Sequence, residues 1–398
     1  MLARRKMYFS FGDIFKLCKF LIKGQDEIIV SRLEKKLSAY FGNRDVITTS
    51  SGREAILLGL KSLGLSDGDE IIVPALTLGE LIPLLKKQGY KIVLADICPK
   101  SLNVTVDSLK NKVSDQTKCI MVTHLFGVPA EIDEIIKFSN EKGIPVLEDC
   151  AHTMFASYDD QPLGAWGDAA ILSFEGNKPL PAYGGGALIL KSQAKAQEIR
   201  DSIESLQTLK LPISKKLFMT IIEEVFLMSP FFKPVASILF SEKFQATFEK
   251  HYRGMNDKVR PKSRFTSFQA EIALENYEVF SKKQIANIEK KLSFEKMIDA
   301  NIARVQSVPT KGKPSFYNST IIVKETGGPK RLKNILFKNG YDSGFGSEVI
   351  DCCDKYFDGE FNSPNAKWVE EQILLLPIHE RAENRDILRI SKVVNNAN

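Results

Sequence analysis

Between residues 45 and 191 the chain alternates short apolar runs with longer stretches whose apolar residues recur every three or four positions. The runs are DVITT (45–49), EIIVPA (70–75), KIVLADI (91–97), TKCIMVTH (117–124), IPVLED (144–149), AAILSF (169–174) and GALIL (186–190). Their length and content suit buried strands. Between the earlier runs lie REAILLGLKSLG, LGELIPLLKKQG and EIDEIIKFSNEKG, amphipathic stretches that each close on Gly, as helix C-termini often do. Strands alternating with helices in this way predict an α/β fold, a mainly parallel sheet covered by helices on both faces.

The flanks read differently. Residues 1–41 are helical in pattern: in DEIIVSRLEKKLSAYFG, Ile29, Leu33, Leu37 and Phe41 recur at a four-residue step. Residues 195–250 read as helical and rich in Phe, Met and Leu. From about 265 an α+β region follows, with strand-like NSTIIVK (318–324), helix-like PKRLKNILFKNG (329–340) and a closing segment, ILLLPIHERAENRDILRISKVV, that ends as a helix. The pattern divides the chain into a large α/β domain over 1–250, with an N-terminal helical segment and a helical insert at 195–250, and a smaller α+β domain over 251–398. A length of 398 residues accommodates both. No repeat, low-complexity tract or bilayer-spanning run interrupts this plan.

The most apolar stretch, KLFMTIIEEVFLMSPFFKPVASILF (216–240), is broken by Glu223, Glu224, Lys233, Pro230 and Pro234, so it cannot span a bilayer. Two readings stand: helices packed into the core or a dimer interface, or a surface segment that rests on a membrane or grips a partner. Composition adds exclusions. Hydrophobic content of 43% and charged content of 26% are those of a globular protein. The net charge of +6 is spread over short Lys pairs, which argues against a nucleic-acid-binding arm and suits an anionic substrate. Six cysteines without a CxxC pattern imply reduced thiols and a cytoplasmic setting. Four scattered histidines imply no metal site. MLARRK resembles the start of a signal sequence, but Asp13, Lys16, Lys19 and Lys23 interrupt the apolar stretch that follows.

The candidate chemistry lies between Glu148 and Gly186. VLED ends in Asp149, a carboxylate at the carboxyl end of a buried strand; AAILSF delivers Ser173, and Lys178 follows in the next loop. Ligands of open α/β sheets bind outside the carboxyl ends of the strands, so these three groups can share one crevice. A lysine for a Schiff base and an acid to keep a pyridine nitrogen protonated are what pyridoxal phosphate chemistry requires. The phosphate of such a cofactor needs N–H groups at a helix start. TTSSGREAILLGL offers one: a strand, a Ser-Ser-Gly turn with a Ser51–Glu54 capping box, Gly52 for close approach and Arg53 to pair with the dianion. Each residue also has a plainer reading. The turn can be an ordinary βα connection, Asp149 a helix cap, Ser173 a satisfied strand-end serine and His152 a packed histidine. Glu148 alternates to the opposite face of the strand from Asp149.

Taken together, SSGREAILLGLKSLG, GDEIIVPALT, VTHLFGVPAEID, EDCAH, GDAAILSFEGNK and GGGALIL resemble, in order and spacing, the DegT/StrS family of fold type I, pyridoxal phosphate-dependent aminotransferases. The resemblance is dense over 26–192 and thinner at SRFTSFQAEIAL and LLLPIHE. It implies transfer of an amino group from an amino acid, L-glutamate as donor, to a keto-sugar nucleotide in a ping-pong cycle serving cell-envelope or secondary-metabolite sugars. It assigns Lys178 to the Schiff base, Asp149 to the pyridine nitrogen and His152 to the ring's surroundings. Gly52, Arg53 and Ser173 take the phosphate, and a homodimer is implied in which Lys262 reaches the partner's cofactor. Three positions depart from the family. Arg53 replaces a Thr, Lys262 an Asn, and Leu78 an aromatic that stacks on the ring. A sugar dehydratase on this fold would carry His in place of Lys178; a non-catalytic regulatory or scaffolding relative is the remaining alternative.

Overall fold

All seven apolar runs become strands of one sheet in the computed structural model, which describes residues 1–4, 8–239, 262–317, 319–325 and 327–396. The division drawn at 250/251 and the end of the 216–240 segment lie outside the described residues. The strands are β1 (Asp45–Thr49), β2 (Glu70–Pro74), β4 (Lys91–Ala95), β5 (Thr117–Thr123), β6 (Val146–Asp149), β9 (Ala169–Ser173) and β10 (Gly186–Leu190), in the order β1-β10-β9-β6-β5-β2-β4. The five from β9 to β4 run parallel, while β10 is antiparallel to both its neighbours. β3 (Leu76–Thr77) and the hairpin β7 (Ser157–Tyr158) and β8 (Gln161–Pro162) lie outside this sheet.

Apolar periodicity sets the helices against it. α1 (Gly12–Lys23) and α2 (Glu27–Tyr40) precede the sheet, and α2 turns Val30, Leu33 and Leu37 inward. α3 (Gly52–Ser62), α4 (Leu81–Lys87), α5 (Val106–Lys110) and α6 (Ile132–Lys142) connect the strands. Leu33, Leu37, Leu60, Ile71 and Ile72 are fully buried in one core, where truncation of a leucine to Ala costs about 2–5 kcal/mol. After β10 the insert folds as α7 (Gln193–Glu204), α8 (Lys210–Met228) and α9 (Phe232–Leu239). Pro230 falls in the turn between α8 and α9, and Pro234 in the first turn of α9, where proline is tolerated.

A second, antiparallel sheet has the order β11 (Ala303–Arg304), β13 (Ser319–Val323), β16 (Ile373–Leu376), β14 (Gly344–Phe345). Around it lie β12 (Gly312–Lys313), β15 (Asp351–Cys352), α11 (Gly328–Lys338), α12 (Pro364–Gln372) and α13 (Asn384–Asn395). The long α10 (Ser267–Met297) joins the two units: Phe268 and Ala273 belong to the main core and Phe294 to the second. The first residues depart from the helical reading of 1–41. Leu2 bridges to Tyr341, and Arg4 pairs with Glu348 at 2.6 Å, so the chain start is held by the C-terminal unit.

One buried carboxylate organises the end of β6. Glu148 accepts hydrogen bonds from the N–H groups of Gly164 (2.9 Å), Trp166 (2.9 Å) and Gly167 (2.6 Å), and from His124 Nε2 (3.1 Å). His124 Nδ1 accepts from Ala130 N at 3.0 Å, which leaves the imidazole proton on Nε2. Cys150 completes a buried trio whose ligand-type atoms lie within 4.8 Å of one another. With both imidazole nitrogens and both carboxylate oxygens committed to protein partners, the trio is an anchor for the loop that leads into β9.

This anchor makes a testable statement about acid stability. Burial pushes the Glu148 carboxyl up, but the bonds from His124 and the loop N–H groups outweigh it and hold the group below its ordinary 4.5. Folding therefore favours the ionised form: its stabilisation is complete above 4.5 and is lost as pH falls through the lower folded value. Glu148→Gln is expected to lower stability at neutral pH by roughly 3–5 kcal/mol, because it breaks a buried charged network. Denaturant unfolding followed from about pH 6 to 3 should fall less steeply with acid in the variant than in the wild type.

Candidate active site

Three strand ends and one helix start converge at the carboxyl edge of the main sheet. The register aligns Thr123 with Asp149, Asp149 with Ile171, and Gly186 with both Ser173 and Thr49. β1 then leads through Ser50 and Ser51 into α3, where Ser51 Oγ accepts from Glu54 N at 3.1 Å. The Glu54 carboxylate returns to Ser50 N at 2.8 Å instead of to Ser51, so the predicted capping box closes one residue earlier. A helix start leaves N–H groups without intrahelical partners, which suits an anion.

Close approach explains the glycines. A Cβ at Gly52 would lie 3.2 Å from Ser173 Cβ and 3.5 Å from its Oγ, so the serine hydroxyl sits beside the opening of α3. A Cβ at Gly186 would lie 2.7 Å from Gly52 N. A side chain at Gly186 would therefore force the start of β10 away from the turn. Gln269 Nε2, in the first turn of α10, donates to Gly184 O at 2.9 Å and secures the same run.

Lys178 stands in the loop after β9, its N–H bonded to Glu175 O at 2.9 Å. Its amine is pushed down to about 8, first by burial and further by the positive Arg53, against the pull of Asp149 and Glu175. Lys178 Nζ lies 4.7 Å from the centroid of the Tyr317 ring. Asp149 Oδ1 accepts from Ala151 N at 3.0 Å, as the capping reading requires. Among the described residues its other oxygen has no hydrogen-bond partner in the protein. Burial raises the Asp149 carboxyl, and the Ala151 N–H and the charge of Lys178 draw it back.

His152 is buried and neutral: burial, reinforced by Lys178, holds it well below the ordinary histidine range. Nδ1 accepts from Phe126 N at 3.3 Å, so the proton resides on Nε2. The ring stacks on Tyr317 with centroids 4.3 Å apart and on Phe126 at 6.1 Å. Tyr317 is brought there by the C-terminal unit: Ser315 N donates to Gly127 O (2.8 Å), Tyr317 N to Phe126 O (2.9 Å) and Ser315 Oγ to His152 O (2.9 Å).

The remaining expected residues are placed differently. The Arg53 guanidinium pairs with Glu80, on the loop that also carries the exposed Leu78. Lys262 is exposed, and among the described residues no hydrogen bond or ion pair joins it to this group. Sequence reasoning missed Tyr317, Glu80 and the ion pair between Glu175 and Lys216 of α8. Tyr317 and Glu80 sit in segments without a local motif, and their partners are distant in sequence.

The profile of the DegT/DnrJ/EryC1/StrS aminotransferase family matches residues 20–395. Protein MosB of Rhizobium meliloti is 33% identical over 175 residues, covering 44% of this chain and 34% of that protein. GDP-perosamine synthase of Escherichia coli O157:H7 is 31% identical over 160 residues, covering 40% of this chain and 44% of that protein. The chain thus spans less than half the length of these curated relatives. The solved sugar aminotransferase CalS13 of Micromonospora echinospora superposes with a TM-score of 0.78 at 17% identity, over 99% of both chains, and shares the fold.

The electrostatics of Lys178 can be measured directly in protein free of any carbonyl compound. Trinitrobenzenesulfonate labelling followed by peptide mapping should modify Lys178 with a midpoint near pH 8. Asp149→Asn removes the charge that favours the ammonium, so the midpoint should move lower still. A midpoint unchanged by that substitution would show that the two groups do not share a site.

Proposed function

The chain belongs to the DegT/DnrJ/EryC1/StrS aminotransferase family, and from that premise we propose that it transfers an amino group from L-glutamate to a keto-sugar nucleotide in a ping-pong cycle. The cofactor of this chemistry is pyridoxal phosphate. The observation that carries the reading is a lysine amine lowered to about 8 beside a buried carboxylate with one free oxygen. A helix start backed by close glycine contacts supplies the phosphate end.

These residues fit the cofactor. Asp149 would accept the ring N–H with its free oxygen, a charge-assisted bond strengthened by burial. The N–H groups opening α3, the Ser173 hydroxyl and Arg53 would hold the phosphate, Arg53 sharing its fork with Glu80. His152 offers Nε2–H to an oxygen on the ring, and Leu78 an aliphatic cover for the ring face. Bound there, pyridoxal phosphate supplies an electron sink and a carrier for the amino group. At neutral pH about a tenth of Lys178 is the neutral amine, able to attack a carbonyl carbon and then to move protons as a general acid–base. The positive balance of the chain suits a nucleotide diphosphate, and a relative named GDP-perosamine synthase supports that substrate class. Lys178, in place of a histidine, favours amino transfer over sugar dehydration.

Two experiments test this. Borohydride reduction of the loaded protein should place the pyridoxyl group on Lys178, and Lys178→Ala should stay folded while donor turnover falls by at least about 10²-fold. A visible absorbance band that glutamate leaves unchanged would instead identify a non-catalytic relative. The reading also extends Lys262 across a two-fold axis to the partner's phosphate. Mixing Lys178→Ala with Lys262→Ala chains then puts both lesions in one site and leaves the other intact. Activity should recover to about a quarter of wild type after statistical exchange. No recovery despite proven exchange would remove Lys262 from the site.

A further inference from the structure

α8 buries one face and leaves the opposite face apolar. Leu217, Thr220 and Glu224 point inward, Glu224 pairing with Arg381. Outward, Leu211, Phe218, Ile222, Val225 and Met228 recur at helical spacing, and Phe231 follows in the turn to α9. Phe218 is 65% and Phe231 69% exposed, where a surface helix ordinarily carries polar side chains. α1 repeats the arrangement with exposed Phe11, Phe15 and Ile22. Its end is held against the start of α8, Lys210 Nζ donating to Leu21 O at 3.3 Å.

The exposed charges along this segment have one sign. Lys210, Lys215 and Lys233 are exposed, whereas the two acids of α8 are not: Glu224 is buried and Glu223 half-buried. Two copies joined through this face by a two-fold axis would bring the lysines of one toward those of the other. An anionic lipid surface satisfies both features, taking the apolar residues at the acyl boundary and the ammonium groups at the headgroups. Among the described residues no helix is long and apolar enough to cross a membrane, so such a segment would lie in the plane of the interface.

We propose that α8, with α1 beside it, docks this protein on anionic bilayers, Phe218, Ile222 and Phe231 inserting and Lys215 and Lys233 resting on the headgroups. Lys216 of the same helix pairs with Glu175 in the Lys178 loop, so docking sets the reacting loop close to the membrane surface. The test is co-sedimentation of the full chain with phosphatidylcholine vesicles, with and without phosphatidylglycerol. The wild type should pellet with the anionic vesicles, and less so at high salt. Phe218→Glu/Ile222→Glu should weaken binding by at least about tenfold. Lys215→Glu/Lys233→Glu, which disturbs no packing, should erase the preference for anionic lipid. Both variants should keep the wild-type circular dichroism, oligomeric state and donor turnover in solution. A wild type that stays in the supernatant overturns the proposal, as does equal binding by all three proteins. If the apolar variant instead loses its oligomeric state, a second copy covers this face and the proposal also fails.

Discussion

The Glu148 carboxylate is buried away from water, and its hydrogen bonds to three loop N–H groups and His124 set the frame on which the site stands. An ionised group in that position is tolerable only when every lone pair is used. Its partners therefore have fixed positions, among them Gly164, Trp166 and Gly167 just ahead of β9. The pleat of β6 sends the next carboxylate to the other side. Asp149 keeps one oxygen free because Glu148 does the structural work. Two adjacent acids with similar chemistry thus acquire different surroundings from a single alternation of side chains.

Backbone proximity supports the other half of the site. The start of α3, the end of β9 and the start of β10 approach more closely than Cβ atoms at Gly52 or Gly186 would comfortably allow. The exclusion of side chains brings a serine hydroxyl to a helix N-terminus without any long-range search by flexible groups. Lys178 enters from the following loop and loses water there, which lowers its ammonium toward neutrality. Burial acts on both groups but prevails only in Lys178; in Glu148 the hydrogen bonds outweigh it.

The C-terminal unit also reaches the candidate site. Ser315 and Tyr317 bond to the loop carrying Phe126 and His152, and the Tyr317 ring lies between His152 and Lys178 in the sense that it contacts both. β15 adds a second tie by pairing with β3, whose last residue, Thr77, immediately precedes Leu78. A shift of the second sheet relative to the first would be felt at the imidazole and at the Leu78–Glu80 loop together.

The sequence by itself determined the strand content, the mainly parallel sheet and the placing of Asp149 and Ser173 at strand ends with Lys178 in the loop that follows. Those features rest on local periodicity, on strand-end position and on glycine spacing, all of which are written within a few residues. It also marked 216–240 as unusual, since an apolar excess is visible without coordinates. Only the tertiary structure decided that β10 runs antiparallel to both neighbours, that Arg53 pairs with Glu80, that Tyr317 stacks on His152 and that Leu2 and Arg4 join the C-terminal unit. Apart from the pairing of β10 with β9, these join segments far apart in the chain through contacts that either partner could make with many others. No local pattern selects among them; the packing of the whole chain does.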